Sequence, residues 1–137
     1  MKNLYNLFKT DKNLEMNGVV LDFGGPQIRL RRAGGANRLF NTTFNDVSRP
    51  YAQAMAARAL DPDKQRDMLI DVYFRSVVLG WDNVTDEDNK PLEFNVVNFK
   101  KVMVDLPDLW DVVRSEADNL RNFQLASAKE DGKLLGE

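Results

Sequence analysis

The residues best suited to chemistry in this chain form an acidic turn between two apolar segments. The turn contains four carboxylates, Asp82, Asp86, Glu87 and Asp88. Carboxylate oxygens are the ligands that hard cations such as Ca²⁺ prefer. A calcium loop that began at Asp82 would place Val84 at its third position, and one that began at Asp86 would place Lys90 at its fifth. Both positions need an oxygen ligand, so the spacing favours a solvated turn over a metal site.

The chain contains neither cysteine nor histidine. Their absence removes disulfides, thiolate nucleophiles, zinc-type ligation and the usual general base near neutral pH. The sequence also lacks the Gly-x-Ser-x-Gly, P-loop and Gly-x-Gly-x-x-Gly motifs. A carboxylate-only or Ser/Lys mechanism is the remaining enzymatic option. We therefore predict a protein that is not an enzyme and that uses no cofactor.

Charge is distributed unevenly along the chain. Residues 1–60 carry nine Lys/Arg and four Asp/Glu, a net charge of +5, and residues 61–137 carry ten and seventeen, a net charge of −7; together they give −2. The two halves could neutralise each other within one fold. Alternatively, a basic face and an acidic face would favour head-to-tail self-association that weakens as salt rises. A pI of about 5.2 argues against nucleic acid as a partner.

Length and composition are typical of one soluble domain. The chain has 137 residues, of which 43% are hydrophobic and 29% charged. Its sequence has no apolar run near the roughly 20 residues that a membrane helix needs. The N-terminal stretch MKNLYNLFKTDKN lacks the continuous apolar segment of a secretory signal. We expect a cytoplasmic protein with no membrane partner.

The elements predict a mainly α fold, a compact multi-helix domain with an N-terminal β-hairpin over about residues 18–32. The segment 19–23 is β-branched and apolar, and Gly24-Gly25-Pro26 supplies a turn. In the second strand Ile28 and Leu30 should face the body, while Arg29 and Arg31 should face water. The two arginines, with Arg32, could bind a partner's phosphate, or could simply form a charged sheet edge that resists aggregation.

Apolar residues at helical spacing predict the remaining elements. Helical segments are expected over 36–47 and 51–60, either as two helices separated at Pro50 or as one helix kinked there. A further helix is expected from Asp61-Pro62-Asp63 to about Leu79, closed by Gly80. A polar connection over 81–91 leads to a helix over about 95–105. Pro107 begins the last helix, whose end is left open beyond Leu125. Residues 1–126 therefore form a single domain, and residues 127–137 are predicted to be a flexible tail.

Several large apolar residues have two interpretations. Trp81 and Trp110 could anchor a partner, although their positions on apolar faces favour burial, with an acceptor for each indole N–H. Near the C-terminus, Leu120, Phe123 and Leu125, with Leu134-Leu135, could grip an apolar helix of another protein. Local packing explains these leucines and Phe123 equally well.

Five segments, taken together and in order, resemble the tail assembly chaperones of tailed bacteriophages, small proteins encoded just before the tape-measure gene. The segments are LFKTDKNLEMNGVVLDFG, RLRRAGGANRLF, SRPYAQAMA, VVLGWDNVTDEDNKPLEF and LPDLWDVV. The similarity extends from about Leu7 to Phe123. Related sequences usually have Asp-Gly where this chain has Asp88-Asn89, and Asn also tolerates the left-handed conformation.

The resemblance implies a non-catalytic role in tail morphogenesis. Such a chaperone coats the long, apolar, helical tape-measure protein, helps to recruit tail-tube subunits and self-associates. It acts in the host bacterial cytoplasm and is not expected in the mature virion. In many such phages a ribosomal frameshift near the end of the gene makes a longer form, and Gly132-Lys133 of this chain lies where a slippage site could fall. The alternative is a structural head–tail connector or tail-completion protein that stays in the virion. The resemblance assigns no binding residues. The predicted partner contacts come from the apolar C-terminal segment and the basic strand alone: Leu120, Phe123, Leu125, Arg29 and Arg31.

Overall fold

A computed structural model describes residues 3–125. Three strands form one sheet: β1 (Val19–Asp22), β2 (Gln27–Leu30) and β3 (Val78–Asp82). Seven α-helices surround it within the described range: α1 (Leu4–Phe8), α2 (Lys12–Asn17), α3 (Leu39–Ser48), α4 (Ala52–Ala56), α5 (Pro62–Ser76), α6 (Val96–Asp105) and α7 (Pro107–Asp118). Two 3₁₀ turns, Arg49–Tyr51 and Leu120–Phe123, precede α4 and follow α7. The mainly α prediction is confirmed.

The sheet is antiparallel with strand order β1-β2-β3. The predicted hairpin corresponds to β1 and β2, but the third strand was not predicted. The helix expected to reach Leu79 ends at Ser76, and Gly80 lies within β3 instead of closing a helix. The open edge of β2 explains the difference, because it pairs Ile28 with Trp81 and Leu30 with Val78. The spacing of the apolar residues in this segment fits a helix or a strand, and its hydrogen bonds to β2 take the place of helical ones.

The core lies between the sheet and helices α5, α6 and α7. Ile28 and Leu30 face this core from β2, as predicted, and Arg29 is exposed on the opposite face. The helices, together with Val77 just after α5, contribute fully or nearly fully buried side chains: Ile70, Tyr73, Val77, Phe99, Met103, Trp110, Val113 and Ala117. Each large buried apolar side chain stabilises the fold by roughly 1.5–3 kcal/mol, an upper bound set by the extended-chain reference.

The two ends of the described chain are joined by hydrogen bonds. Helix α7 ends at Asp118, which gives the end of the last helix that the sequence left open. The 3₁₀ turn then buries Phe123 completely. The Asp11 amide donates to the Phe123 carbonyl at 2.7 Å, and Gln124 Nε2 donates to the Leu7 carbonyl at 2.8 Å. The predicted tail over 127–137 lies outside the described residues.

Buried polar residues fix the loop that follows the sheet's second strand. Glu15, 2% exposed, accepts hydrogen bonds from Thr10 Oγ1 at 2.8 Å, an Arg32 guanidinium nitrogen at 3.0 Å and the Ala36 amide at 3.2 Å. Asn37 Nδ2 donates to the Arg32 and Ser76 carbonyls. These bonds satisfy groups that would be costly to bury unpaired. They hold α2, the loop and the end of α5 together.

Candidate functional site: an apolar groove with an acidic rim

The structure contains an open apolar groove of about 380 Å³. It is formed by the tip of the β1–β2 hairpin, strand β3, the acidic turn after β3, and the junction of α6 and α7. Its main apolar residues are Phe23, Trp81, Val84, Leu92, Leu106 and Leu109. We call this feature the groove.

The hairpin tip presents Phe23 to the groove. Asp22 caps the turn, since its Oδ1 accepts the Gly24 amide at 2.9 Å. Gly24 has a φ of +85°, a conformation that residues with a Cβ rarely adopt. The Asn83 side chain, just after β3, donates to the Gly25 carbonyl at 3.2 Å and fastens the tip to the acidic turn. Phe23 stays 44% exposed at the groove mouth.

Trp81 joins the sheet to the opposite end of the acidic turn. Its indole Nε1 donates to the Leu92 carbonyl at 2.9 Å. The Leu92 amide in turn donates to the Val84 carbonyl at 2.9 Å, which closes the turn at its base. The Trp81 ring packs edge-to-face on Phe94, with ring centroids 5.3 Å apart. Trp81 is therefore half-buried, with its N–H satisfied and part of its ring available in the groove wall.

The Asp86 side chain shapes the backbone of the acidic turn. Asp86 Oδ1 accepts the amides of Asp88 and Lys90, both at 2.9 Å. Asn89 adopts a φ of +62°, which confirms that this position is left-handed, as the Asp-Gly of related sequences indicated. Within residues 3–125 no three His, Cys, Asp or Glu side chains are grouped so that they could hold a metal ion. The carboxylates instead give the groove a negatively charged rim.

The α6–α7 junction forms the other wall. Leu106 lies between the helices and is 52% exposed, while Leu109 is half-buried in the first turns of α7. Lys101 Nζ is 2.6 Å from Asp105 Oδ2. The hydrogen bond to Asp105, the charge of Asp105 and the nearby charges of Glu87 and Asp86 raise the pKa of Lys101. Three acids, Asp86, Glu87 and Asp105, thus face one base, a formal rim charge of −2.

None of the five predicted partner residues lines the groove. Leu125 is 56% exposed and Leu120 is half-buried, beside the N-terminal helices. Arg29 is exposed on the outer sheet face. Arg31 is half-buried, and its Nε donates to the Met16 carbonyl at 2.7 Å. The structure corrects the assignment of Phe123, because the 3₁₀ turn after α7 directs it into the core, where no partner can reach it.

In the sequence, the groove residues match the ends of secondary-structure elements and give no sign of a binding site. Phe23 follows a strand, Leu92 follows Pro91, and Leu106 precedes Pro107, so each fits the edge of an element. A large apolar residue beside a turn-forming Gly or Pro is the available signal. Several such residues on separate segments could indicate a shared apolar surface, but only the tertiary fold brings them together.

Trp110 shows the buried alternative for the second tryptophan. It is 4% exposed and packs edge-to-face on Tyr73, with ring centroids 5.0 Å apart. Arg114 lies over the Trp110 ring, 5.0 Å from its centroid, within the range of a cation–π contact. Trp110 is therefore a core residue, as predicted.

None of the helices within residues 3–125 has both the length and the apolar character needed to cross a membrane.

Comparisons with known proteins identify the family. No curated protein and no solved structure matches this chain. The family model of the YdaY prophage protein matches residues 35–133, which is most of the sequence and includes the groove residues from Trp81 onward. The chain therefore belongs to the YdaY prophage protein family and is of phage origin.

Proposed function

We propose that this protein is a tail assembly chaperone that holds an apolar helical segment of the tape-measure protein in the groove. The observation that carries the proposal is the groove itself, an open apolar surface with a rim charge of −2. Phage origin and the resemblance of the five sequence segments to tail assembly chaperones support it. The proposed role requires binding without chemistry, and the chain has no cysteine or histidine with which to perform most chemistry.

The groove has room for a few apolar side chains of a partner helix. Its volume of about 380 Å³ is near the lower end of the roughly 300–1,000 Å³ typical of ligand pockets. Helices that bind such surfaces insert apolar side chains spaced three, four or seven residues apart. The acidic rim adds a preference for lysine or arginine beside those apolar anchors. The expected client is therefore an amphipathic helix whose polar flanks are basic.

The remaining parts of the proposal come from the resemblance to tail assembly chaperones. The protein would act in the host bacterial cytoplasm while the tail is assembled, recruit tail-tube subunits to the coated tape-measure protein, and be absent from the finished virion. Self-association would keep the grooves covered until a client is present, and several copies, one at each apolar segment, would then cover the long client.

Co-expression with the tape-measure protein tests the proposal. We expect a tape-measure protein that is insoluble alone to become soluble and to co-purify with this chain. Replacing Leu106 by Asp should abolish both effects, because it places a charge in the apolar wall. Val97→Asp is the matched control, since Val97 is 72% exposed and lies outside the groove. A Leu106→Asp chain that solubilises its client as well as the original would remove the groove from the proposal.

A further inference from the structure

We infer that the groove of one copy binds helix α1 of a second copy, so that the protein self-associates head to tail. Helix α1 is the most exposed apolar element among the described residues. Leu4 is 71% exposed, Tyr5 83% and Phe8 59%. Three large apolar side chains in five residues of a surface helix indicate a surface that is covered in an assembly.

The helix is already formed and is attached by its other side. Asn3 caps it, because its Oδ1 accepts the Asn6 amide at 2.9 Å. The Leu7 carbonyl accepts Gln124 Nε2 at 2.8 Å and an Arg121 guanidinium nitrogen at 3.4 Å. Leu4 and Phe8 are four residues apart and therefore lie on one helical face. A second copy would meet a preformed apolar face and would not have to order it.

Charge favours the groove as the site that receives this face. Lys9 directly follows α1 and Lys12 begins α2; both are exposed, and neither forms an ion pair with another residue of the described range. The groove offers an apolar surface for Leu4 and Phe8, and its acidic rim, with the exposed Glu87, complements the lysines. Helix α1 thus has the composition expected of a groove ligand: apolar anchors with basic flanks.

The geometry requires two different copies. Leu106 and Leu109 place the groove at the start of α7, whereas α1 is attached to Gln124, beyond the end of α7. The 12 residues of α7 separate these ends by about 18 Å of helix axis. While attached there, α1 cannot occupy its own groove. Each copy therefore offers both a groove and an α1 helix, and this contact, repeated from copy to copy, generates rows or rings of subunits.

This inference concerns the chain alone and does not rest on the proposed client. If both hold, α1 of a neighbour covers the groove until the tape-measure helix displaces it. The following experiment uses only the purified full chain, so its failure would leave the client proposal intact. Likewise, failure to solubilise a client would leave the self-association intact.

Complementation between two variants tests the arrangement. Phe8→Asp spoils α1 but leaves the groove, and Leu106→Asp spoils the groove but leaves α1. In sedimentation velocity up to about 100 µM, a range that reveals micromolar contacts, the original chain and Val97→Asp should form oligomers. Each of the other two variants alone should be a monomer. An equimolar mixture of Phe8→Asp and Leu106→Asp should form a dimer, because only one productive contact is possible between them.

A second measurement keeps the result independent of the folding of the variants. A peptide of residues 1–12 should dissociate the oligomers of the original chain, and the same peptide with Leu4 and Phe8 both replaced by Asp should not. The inference is overturned if the original chain stays monomeric, if either single variant associates like the original, or if the mixture forms no dimer.

Discussion

Gly35 lies directly against the carboxylate of Glu15, with no room for a side chain. A Cβ atom at residue 35 would overlap Glu15 Oε2 and would come within 2.9 Å of the Arg32 side chain. Gly35 also has a φ of +57°, in the left-handed region. The ion pair between Glu15 and Arg32 therefore depends on the absence of a side chain at residue 35.

Replacing Gly35 by Ala should destabilise the fold by about 2–4 kcal/mol, the sum of backbone strain and a displaced buried carboxylate. Gly24→Ala separates these two causes, because Gly24 has a φ of +85° but no atom within 4 Å of the position that a Cβ would occupy. It should cost only the strain, about 1–2 kcal/mol. Urea unfolding followed by circular dichroism measures both variants. If Gly35→Ala and Gly24→Ala lose the same free energy of unfolding, displacing the Glu15 carboxylate costs nothing.

Glu15 should make stability depend on acid. Burial by itself raises the pKa of Glu15. The hydrogen bonds from Thr10, Arg32 and Ala36 and the charge of Arg32 outweigh that effect, so the pKa of Glu15 lies below its ordinary value of 4.5. Because the folded-state pKa is the lower one, the unfolded state binds the proton first. The stability from Glu15 is present above pH 4.5 and disappears as pH falls through the folded-state pKa. Glu15→Gln should be less stable by about 1–3 kcal/mol at pH 7 and should lose less on acidification.

Tyr73 should make stability depend on base. Burial raises its pKa from 10.0 to about 12, since the neutral phenol is favoured in the core. The unfolded state therefore loses its proton first, and stability declines as pH rises from 10 to about 12. Two pKa units correspond to about 3 kcal/mol. Tyr73→Phe should lack this part of the decline, as measured by the difference between the two chains' unfolding free energies at about pH 9 and about pH 11. Parallel curves would contradict the prediction.

Asn89 should accept glycine but resist residues that avoid the left-handed region. Its φ of +62° is natural for Gly, so Asn89→Gly should change stability by no more than about 0.5 kcal/mol. Asn89→Ala should cost about 1 kcal/mol, because a Cβ without a local polar partner disfavours this conformation. Both variants are compared by thermal unfolding. A more stable Asn89→Ala would mean that the turn relaxes into another shape.

The chaperone proposal predicts that the protein is absent from finished particles. Quantitative mass spectrometry of purified virions should find it only at trace levels relative to the tail-tube protein. The same measurement on lysates before particle purification should find it readily, which controls for poor detection of its peptides. Stoichiometric copies in virions would favour the head–tail connector or tail-completion role instead.

Local sequence signals predicted most of the elements but not the closure of the sheet. The hairpin was predictable because Val19 and Val20 precede a Gly-Gly-Pro turn, and α6 because Asn95 caps an apolar periodic segment. The segment Val77 to Trp81 is apolar and short, so its periodicity fits a helix or a strand equally. Its state is decided by the free edge of β2, which lies about 50 residues earlier in the sequence.

The candidate site was less predictable than the fold. Sequence placed partner contacts at Phe123 and at Arg31, where the structure shows a core residue and a half-buried arginine bonded to Met16. The groove draws Phe23, Trp81 and Leu106 from three distant segments, and each satisfies a different local pattern. Such a surface results from tertiary packing, which a single sequence without contact information does not specify.

The bond between Asp11 and Phe123 has a consequence for synthesis. Asp11 and Phe123 are 112 residues apart in the sequence, and β2 can pair with β3 only after about 50 more residues have been synthesised. Long separations of this kind slow folding, because loop closure must precede the contacts that reward it. Strands β1 and β2 therefore leave the ribosome with their apolar face uncovered, and the native state forms only after residue 123 has emerged.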